Sequence, residues 1–214
     1  MLFEARTYYS IGGKIGALNE RMATRVLPIF ARHGIEALGY WTEVIGEGNK
    51  LFYILRYRDV ADREARWGAF QDDPDLHALR REPVLLDYTE NRLMRLTGYS
   101  PAPKTTDPVV EIRIYDTLPG KMQALNDRFA NHTLGLFERH GIRSIGYWTE
   151  VVGTGNRLFY MVGYPDVGAR QRAWDAFLGD PEWQRSRADS EADGPILRKV
   201  QSSILTRLPM SSRN

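Results

Sequence analysis

The stretch GYWTEVIGEGNKLFY, Gly39 to Tyr53, returns 107 positions later as GYWTEVVGTGNRLFY, Gly146 to Tyr160. An internal repeat sets domain count and symmetry, so it governs every other inference from the sequence. The correspondence runs without a gap from Glu4/Glu111 to Asp73-Pro74/Asp180-Pro181, then blurs where the second copy gains four or five residues around Asp189 to Gly194. The boundaries read from it are a first repeat at 1–99, a linker at 100–107 and a second repeat at 108–214. The linker follows from Pro101 and Pro103, each of which fixes its own φ and biases its predecessor to extended backbone.

Working outward from the repeated stretch, Ile35–Ile45 and Leu51–Arg58 form two antiparallel strands. Gly46-Glu47-Gly48-Asn49 joins them, because glycine and asparagine accept positive φ. The strand before them alternates strictly, with Phe3, Ala5 and Thr7 on one side and Glu4, Arg6 and Tyr8 on the other. Its copy places Val110, Ile112 and Ile114 opposite Glu111, Arg113 and Tyr115. Between these strands lies a helix with Leu18, Met22, Ile29 and Phe30 on one stripe, ending at His33-Gly34 with glycine in the C′ position. Pro28 and its counterpart Gly135 predict a kink or broken turn. Asp59 and Asp166 are N-caps of a helix carrying Trp67 and Phe70, or Trp174 and Phe177. Asp73-Pro74 and Asp180-Pro181 open a further short helix, and Asn91–Leu96 and Val200–Arg207 close each copy as strands.

The order βαββαβ, twice, is α+β and ferredoxin-like, an antiparallel sheet with helices on one face. Two such sheets can bury their bare faces by closing on each other, an intramolecular dimeric α/β barrel. If the apolar side of each first strand faces its helices, the set Glu4, Arg6, Tyr8, Glu111, Arg113 and Tyr115 points into the space between the sheets. Charges removed from water must be paired, solvated or bound by ligand. Two uses follow. In one, Arg6 meets Glu111 and Arg113 meets Glu4 across the pseudo-twofold, and the pairs lock the halves of a non-catalytic scaffold. In the other, the arginines hold an anionic or enolisable ligand and a glutamate or tyrosine moves protons. Trp41, Tyr53, Tyr57, Trp148, Tyr160 and Tyr164 then supply apolar walls for a bound molecule, or are simply core aromatics.

Composition narrows the classes. A net charge of +2 with interspersed signs offers no patch for nucleic acid, and the absence of cysteine removes disulfides, thiolate metal sites and cysteine nucleophiles. His33 and His140 sit at helix ends, where the dipole favours an imidazolium, while His77 and His132 have no histidine counterparts and read as surface residues. Four scattered histidines make no metal site, although a single axial ligand would serve haem. Neither metal nor cofactor is expected. Lys14 and Lys121 follow glycine at helix starts without the rest of a phosphate loop. The N-terminal residues lack a signal-peptide core and no segment is long enough to span a bilayer, which predicts a cytoplasmic protein. Further self-association beyond the internal pseudo-dimer is compatible with the sequence.

Taken together, Glu-x-Arg-x-Tyr, the helix ending His-Gly, Gly-Tyr-Trp-Thr-Glu, the Tyr-x-x-x-Tyr strand and Arg63-x-x-x-Trp67-x-x-Phe70-x-x-Asp73-Pro74, each present twice, resemble the NIPSNAP family of the dimeric α/β-barrel superfamily. The resemblance covers nearly the whole chain. It implies the barrel fold and a pseudo-dimer within one chain, but no defined chemistry. Superfamily relatives include cofactor-free monooxygenases, polyketide cyclases, small-lactone isomerases and haem-handling enzymes. Where family members often carry a histidine in the third strand, this chain has Tyr53 and Tyr160. The function expected is binding of a small hydrophobic or anionic molecule, with cofactor-independent proton transfer as its enzymatic form.

Overall fold

The computed structural model describes residues 1–213. Each copy builds a four-stranded antiparallel sheet from β1 (Leu2–Ser10), β2 (Glu36–Ile45), β3 (Lys50–Tyr57) and β4 (Leu86–Leu96), and from β5 (Val109–Thr117), β6 (Arg143–Glu150), β7 (Arg157–Tyr164) and β8 (Leu197–Arg207). Strand order is β4-β1-β3-β2 in the first and β8-β5-β7-β6 in the second, the ferredoxin-like arrangement in both. The final strands begin earlier than the sequence suggests. Leu85 O accepts from Ile11 N and Ile196 O accepts from Leu118 N, so the offset between copies grows from 107 to 111 and the insertion is four residues.

The helix after β1 is broken, as Pro28 and Gly135 lead one to expect. The break is a π-helical turn, Met22–Val26, between α1 (Ile15–Arg21) and α2 (Leu27–Arg32). The second copy repeats it at Phe129–Thr133, between α5 (Met122–Arg128) and α6 (Leu134–Arg139). Gly34 and Gly141 follow the helices at φ +63° and +73°, the left-handed conformation that stops them. Asp59 and Asp166 cap α3 (Val60–Gln71) and α7 (Val167–Gly179), and Asp73 and Asp180 cap α4 (Pro74–Leu79) and α8 (Pro181–Ser190) through side-chain acceptors.

By contact the chain divides into two compact units, residues 1–95 together with those from Arg207 to Ser211, and residues 96–206. Within the first, Ser211 Oγ accepts from Tyr40 N at 2.9 Å and donates to Tyr40 O at 2.8 Å. Within the second, Ser100 Oγ accepts from Tyr147 N at 3.0 Å, and Thr97 N donates to Tyr147 O. The residues that follow the last strand of one repeat thus pack with the other unit.

Each sheet buries both faces. Register places Arg6, Tyr53 and Tyr40 on one face and Thr7, Phe52 and Trp41 on the other. The first of these faces is the one under the helices, since Tyr53 packs on Phe30 of α2 and Arg6 lies over Trp67 of α3. The expectation that Glu4, Arg6, Tyr8 and their copies point away from the helices is therefore reversed. Phe3 and Ala5 lie on the opposite face and are equally buried. The assumption that only an apolar strand face can sit under helices fails because α3 brings its own arginine and tryptophan to meet the charges.

Candidate functional site

In the first unit the site starts from Glu4, which is 0% exposed. Its carboxylate accepts from Arg6 Nη1 at 2.5 Å, from Arg63 Nε and Nη2 at 2.9 and 3.1 Å, and from Asn91 Nδ2 at 3.2 Å. Arg63 and Trp67 stand four apart on α3 and so share the face that meets the strand. Trp67 carries the Arg6 guanidinium 4.2 Å from its ring centre, a cation–π contact. Burial alone would raise the Glu4 pKa, but the hydrogen bonds from Arg63 and Asn91 and the charges of Arg6 and Arg63 outweigh it and hold the acid below its ordinary range. A carboxylate saturated by cationic donors is a poor base. Its geometry suits the orienting of Arg6.

The arginine passes this order onward. Arg6 Nε donates to Tyr53 Oη at 3.1 Å, and Tyr8 meets both residues, its ring edge-on to Tyr53 with ring centres 5.2 Å apart and its ring centre 5.6 Å from the Arg6 guanidinium. Complete burial and the neighbouring Tyr8 push the Tyr53 pKa well up, outweighing Arg6, so the phenol stays protonated. Tyr8 also lies in the wall of a cavity of about 350 Å³. The cavity lies between α1, the π-turn, α4 and the segment leading to β4, with Leu18, Met22, Val26, Leu76 and Leu79 among its apolar walls. The widened turn carries both Met22 and Val26 at the cavity wall, in keeping with the frequent use of π-turns at functional sites.

The second unit repeats the charged cluster. Glu111 accepts from Arg113 Nη1 at 2.6 Å, from Arg170 Nε and Nη2, each at 2.9 Å, from Ser202 Oγ at 2.5 Å, and also from Trp174 Nε1 at 2.9 Å. Tyr164 Oη accepts from Trp174 Nε1 as well, at 2.8 Å, whereas its counterpart Tyr57 has a buried hydroxyl with no hydrogen-bond partner among the described residues. Tyr115 Oη accepts from Tyr160 Oη at 2.8 Å and from Arg113 Nε at 3.3 Å. The cavity is not repeated in kind. Phe129 stands for Met22 and Trp183 for Leu76. Phe129 packs on Tyr115 and Tyr160, and Trp183 on Phe177 with ring centres 4.5 Å apart. A hollow of about 490 Å³ beside Trp183 does not reach Tyr115.

Of the residues singled out from sequence, Glu4, Arg6, Tyr8, Tyr53 and Tyr57 come together in one unit, and Glu111, Arg113, Tyr115, Tyr160 and Tyr164 in the other. Trp41 and Trp148 do not join them. They pack on Phe52 and Phe159 on the opposite face, and a side chain at Gly39 would put its Cβ 2.7 Å from the Trp41 ring. The expected pairing of Arg6 with Glu111 and of Arg113 with Glu4 is also overturned: each arginine bonds the glutamate two residues before it on its own strand. Arg63, Arg170, Asn91 and Ser202 were missed as site residues, although the spacing Arg63-x-x-x-Trp67 signals a shared helix face. His33 and His140 are C-cap residues, each 2.7 Å from the aspartate that caps α4 or α8, Asp73 or Asp180. His77 and His132 are exposed. Among the described residues no cluster of candidate ligands could hold a metal, and no helix is long and apolar enough to cross a membrane.

The NIPSNAP family profile matches residues 3–101 and again 110–212. The chain belongs to the NIPSNAP family. This NIPSNAP chain is similar to the protein NipSnap homolog of Dictyostelium discoideum, at 23% identity over 201 residues that cover 90% of this chain and 82% of that one. An uncharacterised NIPSNAP-like domain protein from Burkholderia xenovorans is 29% identical, over 47% of this chain and 85% of its own, with a TM-score of 0.43. A crystal structure titled putative monooxygenase from Lactobacillus acidophilus aligns with 96% of this chain and 93% of its own at 13% identity and a TM-score of 0.63. That likeness shows the fold, an α+β chain of two tandem halves of the dimeric α/β-barrel type.

Proposed function

We propose that the first half of this NIPSNAP chain binds a small, largely apolar molecule in the cavity that ends at Tyr8, with an oxygen of the ligand accepting the Tyr8 hydroxyl proton. One observation carries the reading: Tyr8 belongs both to the cavity wall and to the buried cluster of Arg6 and Tyr53, against which its ring packs. A volume of about 350 Å³ is in the range of small-molecule sites. In the enzymatic form of this function, which needs no cofactor, Tyr8 exchanges a proton with a carbonyl or lactone-type substrate. Arg6, permanently charged and fixed by Glu4, stabilises the negative charge that develops. The second half, whose cavity positions are filled by its own aromatics, serves as scaffold.

The test uses the protein's own second copy. Met22→Phe with Leu76→Trp installs the residues already accommodated at Phe129 and Trp183. The double variant should fold like the parent and lose binding of an apolar fluorescent probe such as anilinonaphthalene sulfonate. Undiminished probe binding by the folded variant would refute the cavity as the site.

A further inference from the structure

The two halves treat one arginine differently. Arg21 ends α1 and Arg128 ends α5, at equivalent positions. In the second half the Arg128 side chain is 3% exposed. Its guanidinium donates to Glu191 Oε1 at 2.9 Å and to Ser190 Oγ at 3.2 Å, and stands 5.4 Å from the ring centre of Trp183. Glu191 lies in the stretch that contains the four-residue insertion. The second half therefore supplies from its own chain a carboxylate and a flat apolar group side by side, both at the same arginine.

In the first half the flat group is missing, and the carboxylate at the arginine, that of Glu82, stands farther off and is shared with a second arginine. Leu76 takes the place of Trp183, and the chain reaches β4 without the insertion, through Arg80-Arg81-Glu82-Pro83-Val84. Arg21 lines the cavity, and it donates to Pro83 O at 3.1 Å and meets Glu82 at 3.4 Å. Glu82 is itself shared with Arg25, which it meets at 3.1 Å. Of the charged residues that line the cavity, Arg21 and Arg80 are positive and Glu82 negative, so the lining carries an excess of one positive charge.

We infer that the ligand of the first half is a hydrophobic carboxylic acid, whose carboxylate bonds Arg21 as Glu191 bonds Arg128 and whose apolar body occupies the space filled in the second half by Trp183 and Phe129. This rests on the proposal that the first-half cavity is a ligand site and names the chemical class it takes. A carboxylate gains at Arg21 a hydrogen bond in which both partners are charged, and an alcohol of the same length one in which only the arginine is.

Calorimetric titration with octanoate, 1-octanol and octylammonium separates the possibilities. Octanoate should bind about ten-fold tighter than 1-octanol, the difference made by the charge of the acceptor, and octylammonium most weakly. Arg21→Gln should abolish the preference for octanoate, Arg21→Lys should retain part of it, and Glu82→Gln should strengthen octanoate binding by freeing Arg21. Equal affinity for octanoate and 1-octanol, or a preference that survives Arg21→Gln, overturns the carboxylate while leaving the cavity as a binding site. Absence of binding by all three probes, or binding unchanged in Met22→Phe with Leu76→Trp, overturns both.

Discussion

Replacing Glu4 by glutamine tests whether the charged cluster is a self-contained unit of one half. The substitution preserves shape and removes one charge at a site with 0% exposure, leaving Arg6, itself 7% exposed, without its counterion at 2.5 Å. Breaking a buried ion pair from one side costs roughly 3–5 kcal/mol. Arg63 is 21% exposed at its side chain and can turn to water, so the cost comes from Arg6 and falls at the low end, about 3 kcal/mol. For a chain of this length that corresponds to a fall in melting temperature of roughly 6–12 °C. Arg63→Met leaves Glu4 paired with Arg6 and should cost about half as much, around 1.5 kcal/mol. Glu111→Gln should cost about as much as Glu4→Gln, since Trp174 Nε1 keeps Tyr164 Oη as an acceptor at 2.8 Å. Equilibrium urea unfolding of the singles and of two double-mutant cycles is the assay. Glu4→Gln with Arg6→Met should show a coupling of about 2 kcal/mol, and Glu4→Gln with Arg113→Met, whose residues share no partner, should be additive within roughly 0.5 kcal/mol. A cost for Glu4→Gln under about 0.5 kcal/mol, or stronger coupling to Arg113 than to Arg6, would refute the reasoning and restore a charge lock between halves.

Two further outcomes follow from the same contacts. The Asp180 carboxyl is held down to about 2 by the hydrogen bond from His140, the backbone N–H of Glu182 and Arg139, against an ordinary 3.8; a depressed folded pKa gives stability that is complete above the unfolded value and fades as pH falls through the folded one. Acid unfolding between about pH 4 and 2 should therefore become shallower in Asp180→Asn, which keeps an N-cap acceptor but cannot titrate, and an unchanged profile would count against the His140–Asp180 contact. Gly39→Ala sets a Cβ 2.7 Å from the buried Trp41 ring and should destabilise by about 1–3 kcal/mol through overpacking, with quenching or shift of tryptophan emission reporting the displaced indole; a neutral result would mean that the ring has room to move.

Sequence by itself determined the elements and their order. The repeat, the alternation of β1, the aspartate caps and the glycines after the helices are local signals, and each depends on neighbours a few residues away, so each survives into the structure. It also brought most of the site together, since Glu4, Arg6 and Tyr8 share a strand face by period alone. What sequence could not decide was which way that face turns. Alternation separates two faces without ranking them, and both are buried here. The choice was made by tertiary packing, through the fit of Arg63 and Trp67 on α3 to Glu4 and Arg6. The same holds for Trp41, whose parity was visible but whose side of the sheet was not, and for the cavity, whose walls come from β1, the first helix with its π-turn, α3, α4 and the segment leading to β4. Even the difference between the halves was written in single letters, Met22 against Phe129 and Leu76 against Trp183. Those letters acquire meaning only once the fold sets them around one space, because volume and exclusion of water are properties of residues assembled, and no local pattern encodes them.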